Sequence, residues 1–376
     1  MNINLRYKPL MHGVFLIAFT CLLSLTSPSL ISAKVTGPCA NCHTMHNSQN
    51  GAAVVRDGAG IGWNGSGQLA GGSLQGPQNT LLVTSCVGCH SSTTNSTIIS
   101  IGGSRIPIVY NTVAPTNPLA GGNFYWVAQG GAANDPKGHN VYGIAAQDNN
   151  LATAPGKTTG ACASSCHISL VLAPNPTYQD KTGCQGCHVF TSHHTDRGWY
   201  RSLKGHTSTP TFDNSVIGGT DYVTGSPDAD WEQTTNTTKH NYYKGTTVAY
   251  SSGSGLEDNQ TITSFCQGCH GIFHGPQSGT KGMGSSSPWI RHPTDIALPS
   301  SGEYSAYNPV TNYSVEAPVA WTNPNPAGPT GPIVMCLSCH RAHGSPNNSI
   351  LRWDYSTMVA GGGGTGGCFT CHTTKN

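Results

Sequence analysis

The chain runs to 376 residues and is close to electrically neutral, with 18 Lys and Arg against 16 Asp and Glu. Charged residues make up only 9%, and no basic cluster occurs anywhere, which argues against a nucleic-acid partner. The 48 glycines and the absence of strong helical periodicity predict a chain without long helices, whereas 15 cysteines and 17 histidines point to chemistry.

In chain order, the first expected element is a targeting segment. Arg6 and Lys8 form a basic start, Val14 to Leu25 is an apolar run, and Ile31-Ser32-Ala33 offers a cleavage site. Residues 1–33 therefore read as a signal peptide, and the apolar run is too short to span a membrane. Cys21 lies inside it and is expected to leave with it. Export follows, to the periplasm, the cell surface or the medium. Without Arg6 and Lys8 the chain has 16 basic and 16 acidic residues and is formally neutral.

Residues 34–376 read as one domain. Gly58 to Gly62 and Gly361 to Gly364 interrupt any long element, while β-branched residues and tyrosine predict strands at Arg105 to Val113 and Thr246 to Ser251. The recurring feature is a cysteine pair followed at once by histidine. Six times it is C-x-x-C-H: Cys39/Cys42/His43, Cys86/Cys89/His90, Cys184/Cys187/His188, Cys266/Cys269/His270, Cys336/Cys339/His340 and Cys368/Cys371/His372. Once, at Cys162/Cys166/His167, three residues separate the thiols. C-x-x-C-H is the attachment signature of c-type haem, with two thioethers to the porphyrin and histidine as an axial ligand of iron. Zinc knuckles and redox dithiols use C-x-x-C too, but neither needs histidine straight after the second cysteine seven times. Seven covalently attached haems are expected, with a disulfide the alternative at Cys162 and Cys166. The motif histidines lie 47, 77, 21, 82, 70 and 32 residues apart (43 to 90, and on to 372), too irregular for a repeat solenoid. The expected fold is mostly coil with short helices and few strands. It is elongated and organised around a haem chain, porphyrin faces standing in for a side-chain core.

Each iron needs a second ligand. Beyond the motifs and His12, nine histidines remain: His46, His139, His193, His194, His206, His240, His274, His292 and His343. Nine for seven irons allow every haem two histidines, with two left over. Met45, Met283, Met335 and Met358 are rival ligands that would raise the potential, and are not needed. His46 and His343 follow a motif histidine by three residues and His274 by four, spacings that make neighbours on a helical turn. Such a residue cannot reach the far side of the haem its neighbour holds, so it is available to another one. Of His193 and His194, one is expected to bind.

Several islands carry a resemblance: Cys39-Ala-Asn-Cys42-His43-Thr-Met-His46-Asn-Ser48, Lys137-Gly-His139-Asn140, Arg291-His292-Pro293 and Cys336-Leu-Ser-Cys339-His340-Arg-Ala-His343. They resemble the extracellular multihaem cytochromes of metal-reducing bacteria that polymerise into conductive filaments. The resemblance implies that His46 ligates a haem of the next copy, making a homopolymer. It also implies exchange with other multihaem cytochromes or an outer-membrane porin–cytochrome conduit, and delivery of electrons to an extracellular acceptor. A non-polymerising shuttle is the second reading. A multihaem oxyanion reductase is the third, although no convergent acid–base set accompanies any motif.

Overall fold

The computed structural model describes residues 38–39, 43, 62–65, 85–157, 169–174, 182–188, 193, 199–204, 222–234, 237, 239–247, 260–274 and 292–375. Every described residue belongs to one compact unit, Ala33–Asn376. The expected signal segment lies outside the described residues.

Regular elements are few and short, and most of the described chain is coil and turn, as the glycine content dictates. The helices are α1 (Cys86–His90), α2 (Tyr125–Ala128) and α3 (Ile262–Gln267). The strands are β1 (Ser91–Ser92), β2 (Ile98–Ile101), β3 (Ser104–Pro107), β4 (Tyr110–Asn111), β5 (Trp199–Lys204), β6 (Tyr222–Ser226), β7 (Tyr242–Lys244), β8 (Ile296–Ala297), β9 (Ala320–Asn323) and β10 (Thr330–Val334). β2 and β3 form an antiparallel hairpin, and β1 pairs in parallel with β4. The strand expected at Arg105 to Val113 is therefore two short pieces, β3 and β4. The one expected at Thr246 to Ser251 is displaced: β7 ends at Lys244, Thr246 and Thr247 are outside any strand, and 248–251 lie outside the described residues.

The remaining strands build a mixed sheet in the order β5-β6-β7-β9-β10-β8. Its central β7–β9 pair is parallel, with Tyr243 opposite Ala320 and Lys244 opposite Trp321. Side chains alternate across the pleat. Tyr243, Ala320 and Ile333 share one face with Tyr200, Val223, Ile262 and Met335. Tyr242, Trp321 and Val334 point to the other, with Leu298, Tyr307, Tyr313 and Val319. Trp321 and Tyr243 are fully buried. Aromatic side chains thus make a small core on both sides of this sheet, which the sequence had not suggested. The sheet also seats the motifs. Cys266, on α3, and Leu337 pack on the first face, and Cys371 packs on the second. α3 begins where Thr261 accepts the Ser264 N–H at 3.1 Å.

Candidate haem sites

Each described motif folds as a single turn. The histidine N–H donates to the carbonyl of the first cysteine: His43 to Cys39 at 2.8 Å, His188 to Cys184 at 2.9 Å, His270 to Cys266 at 3.0 Å, His340 to Cys336 at 3.1 Å and His372 to Cys368 at 3.0 Å. α1 is the same turn around Cys86, Cys89 and His90. Cys89 is half-buried there, and its carbonyl accepts the Trp63 indole N–H at 2.8 Å, which ties the turn to the buried Trp63. An i to i−4 bond is one turn of α-helix, so the first thiol and the imidazole lie on one face. That is what a three-point attachment to a flat ring and its iron requires. Burial pushes the Cys187 and Cys339 thiols up to about 12 and Cys371 to about 11, and raises Cys269 and Cys368 as well. A reactive dithiol or a zinc thiolate needs the opposite shift. Cys86 departs from the pattern: a hydrogen bond from the Cys184 thiol draws it down to about 7. No disulfide joins the described cysteines.

The imidazoles are oriented by backbone carbonyls. Nδ1–H donates from His90 to Pro107 at 2.8 Å, from His188 to Arg201 at 3.0 Å, from His270 to Pro155 at 2.8 Å and from His340 to Ser349 at 2.8 Å. Among the non-motif histidines, His139 donates to Ala342 at 2.6 Å, His240 to Asn241 at 2.8 Å and His292 to Pro293 at 2.9 Å. A carbonyl only accepts, so the proton sits on Nδ1 and Nε2 carries the lone pair that a metal would take. Burial lowers the pKa of His90, His139, His188, His240, His292 and His343, the last to about 3, which keeps these rings neutral as ligation demands.

Two acceptor carbonyls come from strained backbone. Arg201 and Ser349 have φ of 49° and 56°, in the left-handed region that non-glycine residues avoid. Arg201 sits in the irregular stretch of β5, which leaves β6 register between Trp199 and Lys204. Both carbonyls are turned onto a motif imidazole, and such strain concentrates at functional positions.

Four motif imidazoles each face one non-motif imidazole at the same ring-centre separation, 6.1 Å: His90 with His193, His188 with His343, His270 with His139 and His372 with His292. The planes range from 23° to 88° apart, so ring stacking is not what the pairs share. The distance is. A metal between two imidazole nitrogens at about 2 Å each, with ring radii of about 1 Å, sets the centres roughly 6 Å apart. The residues therefore fit bis-histidine iron. Among the described residues no three His, Cys, Asp or Glu side chains converge to cage a metal; the histidines meet in twos. His343, three residues beyond His340, faces His188 instead, and His193, five beyond His188, faces His90.

The thiols place neighbouring motifs side by side. Cys86 and Cys184 are in hydrogen-bond contact, as are Cys266 and Cys336. Cys187 lies within electrostatic reach of Cys269, and Cys339 of Cys368 and Cys371. The described motifs from Cys86 onward thus adjoin one another in chain order, an arrangement the sequence did not disclose.

His240 is different. Its ring lies flat on Tyr313, 3.5 Å between centres and 7° between planes, with Tyr242 at 4.1 Å. Among the described residues no imidazole faces His240 or His340 at the common distance. Met335 is buried in the core, and Met358 Sδ accepts the Cys368 N–H at 3.3 Å. Cys42, His46, Cys162, Cys166, His167, His194 and His206, with Met45 and Met283, lie outside the described residues, as does the His274 side chain.

Comparisons with known proteins agree with the motif chemistry. Residues 331–376 match the doubled CXXCH motif family. Over 373 aligned residues the chain is 26% identical to the C-type cytochrome OmcS of Geobacter sulfurreducens, covering 84% of this chain and 78% of that protein. Two solved structures from the same organism were found. One is the outer membrane cytochrome S filament, at 22% identity and TM-score 0.43, covering 86% of this chain and 85% of that one. The other is the OmcS nanowire, at 22% and 0.40, covering 88% and 86%. The sequence matches bear out the resemblance to multihaem cytochromes and the covalent attachment of haem c.

Proposed function

We propose that this multihaem c-type cytochrome, similar in sequence to OmcS, conducts electrons through seven covalently held haems, each bound by two histidines. The observation that carries the reading is the set of four imidazole pairs at 6.1 Å. When bound, haem supplies one-electron Fe(III)/Fe(II) chemistry. The cysteine pairs on their one-turn helices would anchor it, the motif histidines would each supply one ligand to iron, and His193, His343, His139 and His292 would each supply a second. His43, His167 and His340 would then draw on His46, His206, His240 and His274. A second imidazole facing the motif histidine at four of the sites leaves no position there for a small oxyanion, which favours a conduit over a reductase. Adjoining thiols bring consecutive centres close, as electron relay requires.

The wider reading is an exported subunit of a homopolymer, with His46 completing a haem of the neighbouring copy. Electrons would pass from other multihaem cytochromes or an outer-membrane conduit to an acceptor outside the cell. The signal-like segment 1–33 and the likeness to OmcS support it. Spectroscopy of the secreted holoprotein is the first test. Low-spin bis-imidazole signals, no carbon monoxide binding and a mass with seven haems are expected. His343→Ala should create one carbon monoxide site per chain. Extensive binding by the wild type would return the reductase to first place. Negative-stain images should show fibres that His46→Ala abolishes; fibres intact in that variant would remove the polymer reading.

A further inference from the structure

Of the candidate ligands whose Nδ1–H acceptor is described, seven use a backbone carbonyl. His372 is the exception. Its Nδ1 lies 3.3 Å from Glu303 Oε1.

Glu303 is held for this contact. It occupies the 3-10 turn Gly302–Tyr304, and Thr373, the residue after His372, ties that turn to the motif. The Thr373 N–H and hydroxyl donate to the Glu303 carbonyl at 2.7 and 2.6 Å. Tyr304 sets its ring 5.1 Å from that of His372 on one side, and His292 stands at 6.1 Å. Lys375 Nζ lies 3.3 Å from the other carboxylate oxygen.

We propose that Glu303 is a positioning residue that sets the reduction potential of the iron held by His372 and His292 below that of the other centres. The proposal deepens the paired-histidine reading and rests on it. A carbonyl is neutral and shares the imidazole proton weakly. A carboxylate is charged and more basic, so it draws the Nδ1 proton and leaves more electron density on Nε2. A richer ligand stabilises ferric over ferrous iron, and hydrogen bonding of this kind is a recognised lever on potential. The charge acts in the same direction, being one imidazole away from a centre that gains a positive charge on oxidation. Lys375 opposes it. Its side chain is 59% exposed against 25% for Glu303, so solvent screens the ammonium more strongly.

The experiment is a spectroelectrochemical titration of the secreted holoprotein, read at the low-potential edge of the haem absorbance. In Glu303→Gln one centre should move upward. At fixed electrode potential its Fe(III)/Fe(II) ratio should fall about tenfold, which is about 59 mV for a one-electron couple. Lys375→Ala should move the same centre downward. Opposite signs distinguish electrostatic tuning from a structural role, which would shift both variants alike. An unmoved low-potential edge in Glu303→Gln, or shifts of one sign in both variants, overturns the proposal. If Glu303→Gln does not accumulate, Lys375→Ala decides alone: a downward shift supports the proposal and an unmoved edge overturns it. Low-spin signals from the wild type, recorded first, separate this failure from failure of the paired-histidine reading.

Discussion

Glu232 shows how one residue can link the core to the sites. It is 4% exposed, and its Oε1 accepts the Tyr313 hydroxyl at 2.8 Å and the Asn241 N–H at 2.9 Å. Tyr313 then lies flat on His240, so the carboxylate fixes the ring that fixes the imidazole. Burial raises the Glu232 pKa, opposed by the Arg352 guanidinium and by hydrogen bonds from Tyr313 and Asn241. The folded chain thus holds this proton more tightly than the unfolded chain does. Ionisation weakens the fold, so stability from this residue declines as pH climbs above the ordinary glutamate value of 4.5. Glu232→Gln retains an Oε1 for both donors and removes the charge. The variant should melt higher than the wild type at pH 7, with the difference shrinking toward pH 4.5. Parallel melting curves across that range would contradict this account.

At the scale of elements, the parallel junction of β7 and β9 is a tightly packed point of the sheet. A Cβ at Gly245, just past β7, would meet Ile333 Cβ at 2.8 Å and Ala320 Cβ at 2.9 Å. Those atoms belong to β10 and β9 and cannot swing away. Gly245→Ala should therefore cost about 1–3 kcal/mol, the usual toll of overpacking, seen as a lower thermal midpoint with the haem spectrum retained. An unchanged midpoint would show that the strands shift freely. This sheet was hardly legible in the sequence. β7 is three residues long, too short for an alternation to register, and the six strands come from segments scattered between Trp199 and Val334. The motif turns were legible because covalent attachment fixes residue types and spacing together. The orienting groups were not. Pro107, Pro155, Pro293, Arg201 and Ser349 act through carbonyls that every residue carries, and Glu303 lies 69 positions before His372 (372 less 303).

For the whole molecule, side-chain packing alone is a slender basis for order. Among the described residues the two larger buried clusters flank one sheet of two- to six-residue strands and two smaller ones hold three residues each, while each ordered residue costs about 1–2 kcal/mol of backbone entropy. Chain made without covalent attachment should show no cooperative melt and a flat near-ultraviolet circular dichroism spectrum; a sharp transition in haem-free protein would refute this. The paired imidazoles carry one more consequence, which concerns time. His343 faces His188 from 155 positions downstream (343 less 188), and the carbonyl that orients His139 belongs to Ala342, 203 positions further on. A chain is made from its N-terminus, so under the proposed pairing the His188 centre would stay half-clad until the last few dozen residues arrive. An interrupted chain would then be chemically marked, that one centre open to exogenous ligands until the C-terminal segment supplies His343.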